Sequence, residues 1–528
     1  MTSGGKGSVD LAARVDADSA GAAPVIWLYQ KQQQIYSRSV TGWFAGWRWA
    51  FVWATQLVFY GLPWLPWNGR QAVLLELASR RFYIFDLVLY PQDFIYLTGL
   101  LVVSAFALFL FTAVAGRVWC GFACPQTVYT EIFMWIERQI EGDRIARMRL
   151  DAAPWNAAKI LRKSLKHGAW IGLALWTGFT FVGYFTPIKT LWAESFTLSF
   201  GPWEWFWVSF YGLATYGNAG WMREQVCKYM CPYARFQSAM FDRDTLIIGY
   251  DPARGEPRGS RPRKVAHAQL AASGLGDCID CGLCVQVCPT GIDIRLGLQY
   301  ECISCAACID VCDSVMDKMD YPRGLIRYAT QNSLANGWSA AQIWRRALRP
   351  RVLIYIAVLL LICVAVAASL WLRVPFKVDV VRDRGALARL VSDDYIENGY
   401  RLQVMNATEH TQSYRVSVSG LAGAQVVTPA TGGQGGRLTA SALVEVGPAQ
   451  ARWLALAVQL PPAAAATAGP GAHSIVFKID SVGAGSDAGR AAGRDADRET
   501  QSATDRATDD VTNTRQGVVE KSTFVIPR

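Results

Sequence analysis

Residues Cys278 to Cys312 read CIDCGLCVQVCPTGIDIRLGLQYECISCAACIDVC and hold eight of the chain's thirteen cysteines. Cys278, Cys281, Cys284 and Cys288 are spaced C-x2-C-x2-C-x3-C, and Cys302, Cys305, Cys308 and Cys312 repeat that spacing. This is the bacterial two-cluster ferredoxin pattern, in which the fourth cysteine of each run ligates the other cluster. The reading therefore assigns Cys278, Cys281, Cys284 and Cys312 to one 4Fe-4S centre, and Cys302, Cys305, Cys308 and Cys288 to a second. Three thiolates in one short loop reach three corners of a cubane, and the fourth must come from elsewhere. Pro289 breaks the turn after Cys288 and redirects the chain. A pair of zinc sites or a disulfide framework would use separated Cys pairs with His, or a secreted setting. The full spacing occurring twice argues against both.

Working outward, the 528 residues are 52% hydrophobic, include 21 Trp and carry a formal net charge of +10. Such a composition indicates a membrane protein. The Lys and Arg lie beside apolar stretches, so membrane orientation explains them better than nucleic-acid binding, and no nucleic acid is expected. The first 24 residues contain no apolar run; no cleavable signal is expected, and the segment 1–42 is assigned to the cytoplasm. Five stretches suggest spans: Trp43 to Tyr60, Phe94 to Gly116, Gly168 to Phe185, Trp203 to Asn218, and Val352 to Leu372.

Loop charge orients them. The segment Glu137 to Lys166 carries Arg138, Arg144, Arg147, Arg149, Lys159, Arg162, Lys163 and Lys166, whereas Pro187 to Pro202 carries only Lys189. The first is therefore expected inside, as is the end of the fifth span preceded by Arg345, Arg346, Arg349 and Arg351. This gives a four-span membrane domain over 43–244, a cytoplasmic dicluster ferredoxin domain over 245–345, a fifth transmembrane helix over 352–372, and an outer domain over 373–528.

In the outer region, Tyr400 to Met405, Ser413 to Val418, Ala451 to Val458 and Ser474 to Ile479 are apolar or alternating at strand length. They predict an immunoglobulin-like β-sandwich. The polar, Ala- and Gly-rich stretch from about 482 to 517 reads as a disordered insertion, with Thr523 to Pro527 as a last strand. Asn406-Ala407-Thr408 matches a glycosylation sequon by chance composition alone.

A second cysteine system lies at the predicted inner ends of spans two and four. Cys120-Gly-Phe-Ala-Cys124-Pro125 and Cys227-Lys-Tyr-Met-Cys231-Pro232 share the form C-x3-C-P and lie 107 residues apart. They suggest a duplicated two-span unit. If each pair occupies a helical turn, both sulfurs share one face, and the four thiolates can converge on one site. Thiolates select copper(I), zinc or iron-sulfur, and Met222 and Met230 could add thioether ligands. Reduced structural cysteine is the plainer reading of a single such pair. Cys363 reads as core. His167, His267, His410 and His473 are scattered, so no bis-histidine haem is expected. Asp86, Asp93 and Glu131 border the membrane and are candidates to handle protons or quinone, although interfacial carboxylates are usually just solvated, and no nucleotide fingerprint stands out.

With these motifs in order, the chain resembles the cytochrome c oxidase accessory proteins of the FixG/CcoG type, a family of membrane-bound polyferredoxins. The resemblance is carried by GRVWCGFACPQ (116–126), REQVCKYMCPYARFQ (223–237), YDPARGEPR (250–258), the double ferredoxin run and GLIRY (324–328). It implies a bacterial inner-membrane protein needed to assemble the cbb3-type oxidase. It further implies copper(II) reduction by electrons from two 4Fe-4S clusters, with Cys120, Cys124, Cys227 and Cys231 as the copper ligands and catalytic thiols. Implied partners are a copper transporter or chaperone, the oxidase assembly machinery and a cytoplasmic electron donor, with a homodimer as the candidate oligomer. Two other classes are carried alongside: a quinol dehydrogenase of the membrane-ferredoxin type, and a non-enzymatic copper carrier or assembly scaffold.

Overall fold

The computed structural model describes residues 34–262, 274–383, 385, 388–428, 437–482 and 517–527. The insertion expected to be disordered, and the N-terminal segment up to residue 33, lie outside the described residues.

Helices occupy all five stretches read as spans. They are α1 (Trp43–Gly61), α2 (Phe94–Ala115), α6 (Ala157–Val182), α8 (Pro202–Thr215) and α12 (Pro350–Trp371). Between them lie α3 (Val118–Phe122), α4 (Pro125–Glu141), α5 (Arg144–Ala152), α7 (Ile188–Thr197) and α9 (Pro232–Met240). Among the described residues, only the helices Pro91–Ala115 and Pro350–Trp371 are long and apolar enough to cross a membrane, and 0% and 6% of their most apolar stretches are buried within the protein. The other three fall short for visible reasons. Arg48 interrupts α1, the first turns of α6 carry Lys159, Arg162, Lys163 and Lys166, and α8 has 14 residues before it relaxes into π-helical turns at Tyr216–Met222.

Small residues set the helix crossings. A Cβ on Gly178 of α6 would stand 2.3 Å from the Val208 carbonyl oxygen of α8, and one on Gly99 of α2 would stand 3.0 Å from Val366 of α12. Glycine lets these backbones approach where a side chain would hold them apart. Tyr96 Oη of α2 donates to the Ser369 carbonyl of α12 at 3.2 Å.

The two ends of this bundle differ. At one end α1 begins beside the cysteine-rich domain. That domain contains α10 (Leu283–Gln286) and α11 (Ala307–Met319), and it is closed by antiparallel strands β4 (Ile247–Tyr250) and β5 (Ile326–Ala329). At the other end, absent from the sequence reading, a small antiparallel sheet of β1 (Val73–Glu76), β2 (Arg81–Ile84) and β3 (Leu87–Leu89) lies between α1 and α2. It packs Leu74, Tyr83, Val88 and Tyr90 against Met405, Ala407 and Ala449 of the C-terminal domain. Asp93 fastens the same junction: it is 3% exposed and pairs with Arg373 at 2.6 Å and Lys377 at 2.7 Å. The expectation that Asp93 is merely solvated is corrected; it is an internal ion-pair partner, because the outer domain folds down over it.

The C-terminal domain is a sandwich of antiparallel sheets. Its strands are β6 (Phe376–Arg382), β7 (Ile396–Asn406), β8 (Gln412–Ser419), β9 (Gln425–Thr428), β10 (Arg437–Thr439), β11 (Ser441–Val446), β12 (Ala451–Leu460), β13 (Gly471–Val482) and β14 (Gly517–Ile526). One sheet runs β10-β9-β12-β7-β6 and the other β11-β8-β13-β14. Alternate residues point inward, so Phe376, Tyr400, Tyr414, Phe477 and Phe524 form its core. Asn406, the sequon residue, is fully buried, and its amide donates to His410 O at 2.7 Å and Gly447 O at 3.0 Å. It clamps a loop and offers no amide to a glycan.

Candidate iron-sulfur and thiol site

The two ferredoxin loops fold alike because the same offsets turn left-handed. Two and four residues after Cys278, Asp280 has φ 52 and Gly282 φ 64; two and four residues after Cys302, Ser304 has φ 56 and Ala306 φ 60. Each pair of reversals wraps the loop around a hollow instead of letting it extend. One cavity is lined by Cys278, Cys281, Cys284 and Cys312, together with Tyr250, Leu283, Val311 and Met316. The other is lined by Cys288, Cys302, Cys305 and Cys308, with Cys284 at its edge and Ile248, Ile292, Ile294 and Ile303 around it. Cys312 thus lies with the first triplet and Cys288 with the second. The donor set fits two 4Fe-4S clusters: four thiols, an apolar wall and little room for water.

Burial governs the acidity of the free thiols. It pushes Cys284 up to about 11, and Cys302 and Cys312 up to about 12, and raises Cys305 and Cys308 as well. Each quartet also has an arginine at its margin. Arg295 opposes the rise at Cys284, and Arg48, which is 7% exposed, opposes it at Cys305. A cluster bound by four thiolates is net negative, so these cations favour the loaded state.

The C-x3-C-P motifs are built differently from the sequence expectation of one helical turn each. Cys120 lies within α3, whereas Cys124 is the extended residue before α4, at φ −62 and ψ 129. Cys227 lies within the π-helical turn Val226–Met230, whereas Cys231 is the extended residue before α9, at φ −75 and ψ 111. Proline is the cause: Pro125 and Pro232 each begin a helix and force the preceding cysteine out of helical geometry. Backbone N–H groups of Gln126 and Thr127 consequently reach the Cys124 sulfur.

The two motifs interlock. Gln126, just after the first, donates to the Asn218 and Arg223 carbonyls at 2.9 and 3.1 Å, and Arg117, just before it, donates to the Ala234 carbonyl at the start of α9. Cys120 donates its thiol proton to Gln237 Oε1 at 3.4 Å. All four thiols lie within electrostatic reach of one another. Cys227 feels Cys124, Cys120 and Cys231; Cys120 feels Cys124 and Cys231; Cys124 feels Cys231. Burial lifts Cys120 to about 11 and Cys227 to about 12, against the opposing pull of Arg117. Met222 ends the π-helical segment Tyr216–Met222 and Met230 ends Val226–Met230, where it is 57% exposed. Among the described residues, no three His, Cys, Asp or Glu side chains stand close enough to share a single metal ion.

Both motifs press on the second ferredoxin loop. Cys120 and Cys227 pack with Val287, Ile303, Cys305 and Cys308. A Cβ on Gly121 would lie 2.7 Å from Ile303 O and 2.8 Å from both Cys305 Cα and Ser304 O, so only glycine admits this approach. Lys228, inside the second motif, donates to the Thr290 carbonyl at 2.9 Å, two residues beyond Cys288. Asp310, between Cys308 and Cys312, accepts from the Phe44 and Ala45 N–H groups at 3.1 and 2.7 Å and so caps α1. Tyr328 donates to Ser304 O at 2.6 Å. Sequence reasoning singled out neither Gly121, Lys228, Asp310, Arg117 nor Arg48. For Gly121 the signal was available: a glycine between paired cysteines.

Comparison with known proteins bears on this architecture. Residues 222–331 match a family model described as a 4Fe-4S dicluster domain, residues 97–141 one described as a 4Fe-4S binding domain, and residues 366–496 the IG-like fold at the C-terminal of FixG. The nitrogen fixation protein FixG of Rhizobium meliloti (strain 1021) is 38% identical over 460 residues, covering 81% of this chain and 87% of that protein. The chain belongs to the FixG family of membrane polyferredoxins. Two further relatives come from Cereibacter sphaeroides: protein RdxA, at 38% identity over 75% of this chain and 84% of its own, and protein RdxB, at 40% over 74% and 83%. As a FixG-type protein the chain is a membrane-associated iron-sulfur protein with redox, electron-transferring character and a C-terminal IG-like domain.

Proposed function

We propose that this FixG-type protein is a membrane-bound copper(II) reductase that serves assembly of a cbb3-type oxidase. The observation that carries the reading is the contact of both C-x3-C-P motifs with the loop of Cys302 to Cys308. Iron-sulfur clusters, when bound by the two ferredoxin quartets, supply one-electron transfer. The protein's own part is to hold Cys120, Cys124, Cys227 and Cys231 beside that loop, buried and out of bulk water. One electron per ion converts copper(II) to copper(I), the state soft thiolates prefer. The electron comes from a low-potential one-electron donor on the cytoplasmic side. A copper chaperone or transporter takes the product, and a homodimer remains the proposed assembly.

The proposed topology has five spans, with α1, α2, α6, α8 and α12 crossing a bacterial inner membrane. The N-terminus and ferredoxin domain are then cytoplasmic and the β-sandwich periplasmic. Support comes from the arginine- and lysine-rich segment that α4, α5 and the start of α6 form at the ferredoxin end.

The test is direct. Protein reduced chemically under anaerobic conditions and mixed with copper(II) should yield copper(I), read with a copper(I)-specific chelator. Unchanged yield from protein lacking both ferredoxin clusters would refute the reading.

Quinol oxidation is a second reading with its own observation. A cavity of ≈ 330 Å³ adjoins the second quartet between α1 and α4, with Arg48, Trp49, Glu131 and Trp135 on its wall and Val287 and Ala307 at its floor. Reduction of the clusters by a short-chain quinol would favour it. Oxidase maturation that survives Cys302→Ser/Cys305→Ser would favour the carrier or scaffold role instead.

A further inference from the structure

The four thiols of the C-x3-C-P motifs raise the question of what they are spaced to hold. A tetrahedral single-ion site has metal–sulfur bonds of about 2.3 Å, so its sulfurs stand within about 4 Å of one another. The quartet is mutually close but fails that condition, as no three ligands among the described residues could share one ion. The two ferredoxin quartets fail it too, while matching a 4Fe-4S dicluster family model. A cubane puts each thiolate on a different iron, at the corners of a larger body. Four thiols that do not gather on a single ion are compatible with such a body, here as in the two ferredoxin quartets.

Three other observations agree. The 4Fe-4S binding model covers residues 97–141, where the cysteines are Cys120 and Cys124 alone, so a cluster there needs two ligands from elsewhere. Gln126 and Arg117 bind the two motifs to each other, which brings Cys227 and Cys231 as that second pair. Arg117 is 4% exposed and its Nε has no hydrogen-bond partner among the described residues, yet it faces Cys120, Cys227 and Cys302. A buried cation so placed is costly beside neutral thiols and is compensated by an anionic cluster. It repeats the relation of Arg48 to Cys305.

We propose that Cys120, Cys124, Cys227 and Cys231 hold a third 4Fe-4S cluster, set against the second ferredoxin loop through Gly121. Copper(II) is then a substrate reduced at the margin of this cluster and not the resident ion of the four thiols. In the internal step one electron leaves the second cluster and one enters the third, with no bond made or broken. Only the direction of that step rests on the proposed reductase function; the occupancy does not.

The full chain, purified anaerobically in detergent, should contain about twelve irons and as many acid-labile sulfides. Cys120→Ser/Cys124→Ser/Cys227→Ser/Cys231→Ser should contain about eight, with the electron paramagnetic resonance of the two ferredoxin clusters retained as proof of folding. Should that variant misfold, Cys120→Ser/Cys227→Ser is read the same way. About eight irons in both proteins, with bound copper lost from the variant, overturns the proposal. Twelve irons without copper reduction would refute the reductase reading and leave this one standing; copper reduction with eight irons would do the reverse.

Discussion

Gly121→Ala gives the sharpest test of how the membrane thiols meet the ferredoxin. Its added methyl would sit 2.7 Å from Ile303 O and 2.8 Å from Ser304 O and Cys305 Cα. All three are backbone atoms of the loop that bears Cys302 and Cys305, so no side chain can swing aside. Restoring ordinary contact at about 3.5 Å requires the two segments to part by about 0.7 Å. Overpacking of this kind costs about 1–3 kcal/mol, and three backbone clashes put this case at about 2 kcal/mol or more. Gly168→Ala is the matched control: a Cβ there meets nothing within 4 Å. In a helix the same exchange stabilises by about 1 kcal/mol. The two variants should therefore shift thermal unfolding in opposite directions. Only Gly121→Ala should alter the electron paramagnetic resonance of the second cluster or cost iron at that site. Equal stability of the two variants, with an unchanged spectrum from Gly121→Ala, would refute the close approach.

Glu137 is 2% exposed and pairs with Arg147 at 2.8 Å, Arg223 at 3.0 Å and Lys166 at 3.6 Å. Burial works to raise its pKa, but Arg223, Arg147 and Lys166 together hold it below the usual 4.5. Glu137→Gln should cost about 3 kcal/mol near neutral pH by leaving Arg147 and Arg223 without a carboxylate, whereas Lys166 keeps Glu141 at 2.9 Å. Because the folded value is depressed, Glu137 stabilises above the unfolded value and loses its effect as pH falls through the folded one. Wild type and variant should then converge in acid, and a gap that persists there would exclude the ion cluster as cause. Asp93→Asn should weaken the junction held by Arg373 and Lys377 by a similar ~3 kcal/mol, read as faster proteolysis between α12 and β6. Asp310→Ala should cost about 1–2 kcal/mol and speed hydrogen exchange in the first turn of α1, while Asp310→Asn keeps the cap. Equal exchange in the two variants would show that the carboxylate does not cap α1.

The parts legible in the sequence are those where local chemistry dictates geometry. The cysteine spacing located both cluster loops, because a short loop can reach only three corners of a cubane. Alternating strands such as Tyr400 to Met405 and Ser413 to Val418 announced the sandwich, because a two-sided strand repeats every second residue. The small sheet β1–β3 was not legible, since strands of three or four residues carry too little periodicity. Nor was the break inside each C-x3-C-P motif foreseen. The proline that follows each second cysteine was visible, but its effect on that cysteine's backbone outweighs the helical spacing that suggested a shared turn. Asp93 and Asp310 were opaque for a different reason: their partners lie 280 and 265 residues away in the chain.

Asp310 also changes what the ferredoxin domain is. A freestanding ferredoxin exposes its loops to a diffusing partner, whereas here the residue between two cluster cysteines caps the first helix of the bundle. Lys228 grips the carbonyl beyond Cys288, and Gly121 lies on the loop of Cys305. The second quartet is therefore covered by the helical bundle. The first remains nearer the surface, with Cys281 exposed and Arg295 reaching Asp280 and Asp293 at its rim. Electron transfer weakens steeply with distance, so an external donor meets the first quartet more readily than the second. Packing thus sets where an external donor gains access, on the Cys281 side, while the direction of flow beyond that point belongs to the potentials of the sites.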